Sequence, residues 1–208
     1  IAQPDIGTFF TLFSAATAMF FVAGASWRQI GVLILVAIIG FSIVIWFKPY
    51  ARERVVTFFY PDKKTDTSSW QINQSLVAIG SGQLTGRGFG RSLQKFNYLP
   101  QPIGDSIFAV AAEEFGFLGG GTLVLAFTLF IIWGLRIAAR APDRFGRLLV
   151  VGLTVLMATG AFVNIASMLG LLPLTGIPLL FVSHGGSALL LSLLGCGIIL
   201  NVSRQSRY

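Results

Sequence analysis

The residues of this chain that could do chemistry lie within residues 80–120, which start polar, glycine-rich and basic and end in a long apolar run. Arg87, Arg91 and Lys95 stand among glycines whose backbone amides can approach closely, a combination that suits an anionic group such as a phosphate. Asp105 follows as a single acid at the start of the apolar run. Ionisable groups at a membrane boundary are often functional. This stretch is therefore the candidate site, with a basic half and one candidate catalytic acid.

Each acid in the stretch also has a structural interpretation. Asp105 directly precedes a run predicted to be helical, where aspartate is an ordinary N-cap, although capping does not exclude catalysis. Glu113 and Glu114 are adjacent, so on a helix they point about 100° apart and we expect that they cannot face the same neighbour. Charges in a membrane span are costly unless paired. Pairing with a basic residue, or protonation, is thus at least as reasonable for them as a direct role in a reaction.

The glycines within residues 86–90 do not form a nucleotide-binding loop, because no strand precedes them and no lysine–serine pair follows. They could let the backbone turn tightly against neighbouring helices, but the nearby basic residues favour a second role, in which the glycines bring backbone amides close to an anion. His184 has no second ligand at metal spacing, so we expect a hydrogen-bonded histidine and not a zinc site. Asn164 and Ser167 are candidates for hydrogen bonds between helices.

The composition is that of an integral membrane protein. Hydrophobic residues make up 54% of the 208 and charged residues 11%, which is more apolar surface than a soluble domain of this size can bury. The net charge of +7 lies in the segments between apolar runs. That placement favours membrane lipid headgroups or an anionic, lipid-borne substrate over nucleic acid. Cys196 is the one cysteine, so no disulfide can form within the chain, and it is expected to be a packing residue.

Hydropathy predicts an all-α integral membrane protein that forms a single polytopic domain over residues 1–208, with about five transmembrane helices. The predicted spans cover residues 6–25, 30–47, 106–133, 148–172 and 187–202. A large loop, residues 48–105, separates the second span from the third. Within it, residues 70–79 have helical spacing and could lie along the membrane interface. Residues 173–186 contain two prolines and a glycine pair, which predicts a re-entrant-like segment before the last helix.

The distribution of arginine predicts the orientation in the membrane. Arg28, the arginine-rich turn of residues 135–147 and the C-terminal tail fall on one side, whereas the short segments on the other side contain no basic residue. The positive-inside rule places the arginine-rich side, and with it the C-terminus, in the cytoplasm. The loop 48–105 is then extracytoplasmic. Its own basic residues count against this orientation, but the rule is weak for long loops.

Several segments resemble, in order and spacing, the motifs of the SEDS family (shape, elongation, division and sporulation), which includes the FtsW and RodA proteins. The segments are QPDIGT at 3–8, QSLVAIGSG at 74–82, QKFNYLP at 94–100 followed by DSIFAV at 105–110, EEFG at 113–116, LLPLTGIP at 171–178 followed by VSHGGS at 182–187, and NVSR at 201–204. Family members are about twice as long, with about ten spans, so the resemblance covers the C-terminal half of such a protein. Gln101, residues 102–104 and His184 depart from the family pattern, which usually has a glutamate, an Ala-His-Thr-like run and a tyrosine there.

The resemblance implies a peptidoglycan glycosyltransferase of the bacterial cytoplasmic (inner) membrane, acting in cell wall biogenesis during cell division or during elongation, which sets cell shape. Its substrate would be lipid II. Its partners would be a class B penicillin-binding protein, which is a transpeptidase, and other divisome or elongasome proteins. The family's essential aspartate maps onto Asp105. The residues of the matched motifs implied to be structural or supporting are Glu113, Glu114, Gln94, Ser183 and Ser187.

Residues and resemblance together predict an inverting glycosyl transfer between lipid II molecules on the outer face of the membrane. Asp105 would remove a proton from the acceptor sugar hydroxyl as it attacks the anomeric carbon, while Arg87, Arg91 and Lys95 would stabilise the leaving diphosphate. A divalent cation, Mg²⁺ or Mn²⁺, bridging Asp105 and the diphosphate is compatible with the sequence, which does not decide it. Two alternatives stay open: a lipid II flippase or transporter, and a non-catalytic scaffold that activates a transpeptidase.

Overall fold

The computed structural model describes residues 5–59 and 67–205, and every regular element within these ranges is a helix, which confirms the all-α prediction. The first two residues of the QPDIGT motif lie outside the described ranges. The helices are α1 (Ile6–Val22), α2 (Trp27–Phe47), α3 (Pro49–Phe59), α4 (Thr67–Ser81), α5 (Gln94–Asn97), α6 (Ile107–Ala139), α7 (Arg144–Met168) and α8 (Gly186–Gln205).

Four of these helices, α2, α6, α7 and α8, are long and apolar enough to cross a membrane. Helix α1 is also apolar but has 17 residues, a length of about 26 Å at a rise of about 1.5 Å per residue. The chain is therefore a multi-pass membrane protein. The helix bounds differ from the predicted spans mainly at α6, which continues to Ala139 past the predicted end at residue 133, and at α7, which begins at Arg144 and ends at Met168.

The region 48–105 is more regular than a loop, because it contains α3, α4 and the single turn α5. Helix α4 contains residues 70–79, for which the sequence predicts a helix. Helix α3 was not expected, since it is short and mixes apolar residues with the charged triplet Arg52, Glu53 and Arg54. By contrast, residues 169–185 contain no helix. The non-helical segment before the last span was predicted over 173–186, so it begins four residues earlier than predicted, and Gly186 already belongs to α8.

Side-chain caps begin three of the apolar helices, but Asp105 is not one of them. The caps are Asp5 on α1, Ser26 on α2 and Asp143 on α7. Helix α6 has Ser106 at its N-cap, and the Ser106 side chain makes no capping hydrogen bond. The prediction that Asp105 caps the third span is therefore wrong. Because Asp105 lies one residue outside the cap position, its carboxylate is left for other contacts.

Helix α7 is the centre of the bundle and packs against α1, α4, α6 and α8. Small residues allow the closest approaches. A Cβ on Gly134 would lie 2.3 Å from the Thr154 hydroxyl oxygen, so α6 and α7 meet with little between their backbones. Helix α2 lies at the periphery, with Ile30 as its one buried residue. Its remaining apolar surface suits contact with lipid tails.

Helix α6 is interrupted at Gly116, whose φ of 68° and ψ of −163° are not helical. Residues 83–88 dock against the interruption and exchange four backbone hydrogen bonds with it. The amides of Arg87 and Gly88 donate to the carbonyls of Glu113 and Glu114 at 3.0 and 2.9 Å, and the amides of Phe117 and Leu118 donate to the carbonyls of Gln83 and Leu84 at 2.8 and 3.2 Å. The docked segment thus caps the end of the first half of α6 and the start of the second.

Glycine is required on both sides of this contact. A Cβ on Gly86 would lie 2.1 Å from the Glu114 carbonyl oxygen, and a Cβ on Gly116 would lie 2.3 Å from the Gly86 nitrogen. The expectation that glycines here turn the backbone tightly against a helix is therefore confirmed. The expectation that the run offers its amides to an anion is wrong for Arg87 and Gly88, because both amides already donate to carbonyl oxygens.

Candidate functional site

Asp105 lies between α5 and α6. Its carboxylate lies close to the Arg54 guanidinium and to the backbone of Gly176, which belong to two other parts of the chain. Asp105 Oδ2 lies 3.5 Å, and an Nη of Arg54 lies 3.8 Å, from the position that a Cβ would take on Gly176. The Gly176 backbone, with a φ of +71°, provides the open space into which both charged groups point. The Arg54 guanidinium also donates a hydrogen bond to the Leu174 carbonyl, which fixes the arginine to the segment before α8.

The environment sets the protonation of Asp105. Burial disfavours its charged form and raises the pKa of the carboxyl above its ordinary value, while the positive charge of Arg54 opposes that rise. A carboxyl with a raised pKa holds a proton more firmly than a free aspartate does. It is a better general base because its pKa is closer to neutral pH.

An apolar cavity of about 500 Å³ opens beside this pair. It is lined by α1, α2, α3 and residues 172–175, with aromatic side chains that include Phe9, Phe41 and Phe58. Arg54 is the charged side chain in its lining. A hydrocarbon chain would be favoured in such a cavity, and an anionic group attached to that chain would be favoured beside Arg54.

Glu113 and Glu114 both bind residues 92–95, so the prediction that they cannot face the same neighbour is wrong. The Ser92 hydroxyl donates to Glu113 at 2.5 Å, and the amides of Leu93 and Gln94 donate to it at 3.1 and 3.3 Å. Glu114 accepts from the Ser92 amide at 3.3 Å. The two side chains diverge from the helix as expected, but the 92–95 segment folds over both of them.

Two of the three cations of the basic stretch are paired with these glutamates. Lys95 Nζ lies 2.6 Å from Glu114 Oε1, and Arg87 Nε lies 3.7 Å from Glu113 Oε1. Arg91 forms no ion pair with any described residue and is exposed. The ion pairs explain how two glutamates can be buried here. The sequence alone left three roles open for them, namely pairing with a basic residue, protonation and a direct part in a reaction. Of these three cationic side chains, that of Arg91 is therefore the most available to a ligand.

The segment before α8 supplies contacts to the backbone on either side of Asp105. The Ser183 hydroxyl donates to the Gly104 carbonyl at 2.7 Å, and the His184 amide donates to the Ile103 carbonyl at 2.9 Å. The buried Asn164 donates from Nδ2 to the Asp105 carbonyl at 2.7 Å. Asn164 therefore bonds to loop carbonyls and not to another helix. Ser187, by contrast, is exposed at the start of α8.

Arg54 is the functional candidate that reasoning from the sequence missed. It lies far from Asp105 in the chain, outside the matched motifs, within the Arg52–Glu53–Arg54 triplet. The one available signal for Arg54 was the position of this charged triplet shortly after an apolar span. Charge so close to a membrane is costly unless it is paired or has a function.

The donor set for a metal ion is small. Within residues 5–59 and 67–205, no three His, Cys, Asp or Glu side chains form a group that could hold a metal. A divalent cation here would take Asp105 as its protein carboxylate and most of its other ligands from substrate phosphates and water, as Mg²⁺ commonly does. Bound in that way, it would neutralise charge on the phosphates.

Fold and site together define a class: a helical, multi-pass membrane protein in which a partly buried carboxyl precedes a span and lies beside an arginine that lines an apolar cavity. The family model for FtsW, RodA and SpoVE, described as "Cell cycle protein", matches residues 1–208. The chain belongs to this family.

Relatives and solved structures agree with that membership. The chain is 43% identical over 208 residues to stage V sporulation protein E of Bacillus subtilis, covering 100% of this chain and 57% of the relative. It is 40% identical over 205 residues to peptidoglycan glycosyltransferase MrdB of Escherichia coli, covering 97% and 55%. It is 39% identical over 207 residues to a probable peptidoglycan glycosyltransferase FtsW of Geobacter, covering 100% and 56%.

One similar structure is a peptidoglycan synthase complex that coordinates polymerization and crosslinking. Its matching chain superposes on this one with a TM-score of 0.76 at 27% sequence identity, and the match covers 98% of this chain and 56% of that chain. The second is a mutant of the rod shape determining protein RodA of Thermus thermophilus, with a TM-score of 0.63 at 25% identity and coverage of 99% and 52%. The chain spans about half the length of the relatives it matches.

Proposed function

We propose that the protein of which this chain is a part is a peptidoglycan glycan-strand polymerase that joins lipid II molecules. The observation that carries the proposal is that Asp105 lies beside Arg54, which in turn lines an apolar cavity of about 500 Å³. Lipid II combines a long apolar chain, a diphosphate and a sugar. The site offers a separate feature for each: the cavity for the chain, Arg54 for the diphosphate and Asp105 for the sugar hydroxyl. The exposed Arg91 is a further candidate for the diphosphate. The relatives named as peptidoglycan glycosyltransferases support this assignment.

The reaction requires one proton transfer and one displacement. Asp105, ionised, accepts the proton of the acceptor sugar hydroxyl as that oxygen attacks the anomeric carbon of the donor. The bond between that carbon and the diphosphate oxygen breaks. The electron pair stays on that oxygen, and the diphosphate leaves still attached to its polyprenyl chain. The Arg54 guanidinium, which lies next to Asp105, stabilises the charge that develops on the leaving oxygen. Because attack occurs opposite the leaving group, an α-linked donor gives a β-linked product.

The loop with Asp105 is proposed to be extracytoplasmic, in the cytoplasmic membrane of a bacterium. The partner we infer is a class B penicillin-binding protein, because one similar structure is a synthase complex that couples polymerization to crosslinking. Arg87 and Lys95 keep a proposed role at the diphosphate. To fill it, each would have to exchange its glutamate partner for a phosphate.

Substitution of Asp105 tests the proposal. We expect Asp105→Asn to abolish polymer formation by the full-length protein, since an amide cannot accept the proton, while the protein stays folded and inserted in the membrane. The loss of a general base costs about 10²- to 10⁴-fold in rate. The matched control is Asp143→Asn, because Asp143 caps α7 at the opposite end of the bundle and asparagine caps equally well.

The assay is best run with lipid II supplied on the outer side of proteoliposomes. Under that condition a polymerase makes glycan, whereas a flippase makes none. Full glycan synthesis by Asp105→Asn would contradict the proposal. A wild-type protein that makes no glycan in this assay but still activates its transpeptidase would favour the scaffold alternative.

A further inference from the structure

Four consecutive residues, 103–106, are each bound by a side chain or amide from another part of the fold. The bonds are His184 N to the Ile103 carbonyl at 2.9 Å, Ser183 Oγ to the Gly104 carbonyl at 2.7 Å, Asn164 Nδ2 to the Asp105 carbonyl at 2.7 Å, and Gln71 Nε2 to Ser106 Oγ at 3.0 Å. The donors come from α4, from α7 and from the segment before α8. Elements distant in sequence thus converge on the few residues around Asp105.

The donors are themselves held in place. Asn164 is 1% exposed, and its Nδ2 also donates to the Ile177 carbonyl at 2.7 Å, so one amide joins the Asp105 backbone to the segment before α8. The Ser183 hydroxyl accepts a hydrogen bond from the Leu179 amide at 2.8 Å while it donates to Gly104. A donor fixed by a second bond loses little freedom when it binds its target.

We propose that Asn164, Ser183 and Gln71 are positioning residues that hold the Asp105 carboxylate in the geometry for proton transfer. The proposal rests on the proposed function. Asp105 precedes α6 without taking part in its cap, so the regular hydrogen bonds of the helix do not fix its backbone. The three side chains supply that missing constraint. A displacement of about 1 Å in such a group can lower a rate by about a hundred-fold.

Kinetics of the full-length protein in lipid nanodiscs separate positioning from binding. We expect Ser183→Ala to lower kcat by about ten- to a hundred-fold while the KM for lipid II stays unchanged, because the serine holds the base and not the substrate. Ser183→Thr keeps a hydroxyl and is expected to restore most of kcat. The matched control is Ser192→Ala, since Ser192 is a buried serine that donates within its own helix to the Ala188 carbonyl.

Asn164→Asp removes the amide donor with little change in shape and is expected to lower kcat in the same way. Its control is Thr154→Val on the same helix, because the Thr154 hydroxyl is buried without a hydrogen-bond partner. If Asn164→Asp fails to fold, the partly exposed Ser183 carries the test. An unchanged kcat in Ser183→Ala, or a rise in KM without a fall in kcat, would overturn the proposal.

Hydrogen exchange gives a second measurement that does not depend on activity. In Ser183→Ala, peptides covering residues 100–106 and 179–185 should exchange faster than in the wild type, whereas Ser192→Ala should leave them unchanged. Unaltered exchange would contradict the positioning role. A wild-type protein that makes no polymer would instead defeat the proposed function, and the exchange result would still decide whether these side chains hold the segment.

Discussion

Two opposing effects act on the pKa of the Asp105 carboxyl group. Burial raises its pKa and the charge of Arg54 lowers it, with burial the larger. A folded-state pKa above the unfolded value means that this residue's contribution to stability is present below the ordinary pKa of aspartate and is lost as the pH rises through the raised pKa. The proposed role as a general base needs the opposite state, the ionised one. On the proposed function, the protein therefore gives up some stability at Asp105 at the pH of the reaction.

Removal of the Arg54 charge should therefore shift the pH dependence of activity. In Arg54→Gln the pKa of Asp105 is expected to rise further, so the acidic limb of kcat/KM against pH moves to higher pH. Arg52→Gln is the control, because Arg52 is exposed on the same helix. The measurement is polymerisation rate across a pH series. An acidic limb at the same pH in both variants would show that Arg54 does not act on the base.

The sequence singles out Asp105 as a candidate but does not show its surroundings. The aspartate lies in a recognisable motif at the start of an apolar run, so its position along the chain is enough to make it a candidate. Arg54 and Asn164 act through contacts with residues far away in the chain, and no periodicity reports such contacts. The cap at Asp105 was predicted wrongly because a one-residue shift of the helix start moves the cap to Ser106.

At the scale of elements, α6 is two helical segments and not one long span. Residues 117–139 alone would extend about 34 Å, enough to cross the hydrocarbon core. Glu113 and Glu114 precede the break at Gly116, so they can stay at the membrane boundary with Lys95 and Arg87. The predicted span over 106–133 placed both charges inside the membrane. Hydropathy alone could not locate a break that depends on a docked loop.

The interruption of α6 at Gly116 should not tolerate any residue with a side chain at that position. Gly116→Ala is expected to destabilise the protein by about 1–3 kcal/mol, because alanine is strained at positive φ and its Cβ would lie 2.3 Å from the Gly86 nitrogen. Gly121→Ala on the same helix is the control, since a Cβ there meets nothing within 4 Å. It should be neutral or stabilising by about 0.5–1 kcal/mol. Thermal unfolding in detergent measures both, and equal melting temperatures would disprove the strain.

At the scale of the whole molecule, every part of the site lies at the same end of the helix bundle. That end holds the start of α6, the end of α2 with Arg54 beyond it, and the segment between α7 and α8. The opposite end holds the arginines of the α6–α7 turn and Arg204 near the end of α8. The helical spans were predictable because each is a long apolar run. Their convergence on one site was not, because it depends on which loops pack together.

Labelling of single cysteines should establish the orientation. In a cysteine-free background of the full-length protein, which includes Cys196→Ala, Phe89→Cys in the basic stretch is expected to react with a membrane-impermeant thiol reagent in intact cells. Phe145→Cys, at the start of α7, should react only after the cells are opened, because arginine-rich segments stay in the cytoplasm. Both phenylalanines are exposed, at 82% and 74%. The reverse labelling pattern would place the site on the cytoplasmic side.

The hydrogen bonds between residues 83–88 and the interruption of α6 also constrain how the chain enters the membrane. Until residues 83–88 fold back over the interruption, the amides of Phe117 and Leu118 and the carbonyls of Glu113 and Glu114 lack these partners. Unpaired backbone groups are expensive near hydrocarbon. Residues 83–88 are synthesised first, and in the proposed orientation they must cross the membrane before α6 can settle in place. In that orientation the candidate site and α6 would form in one event, because export of the loop would complete the span that follows it.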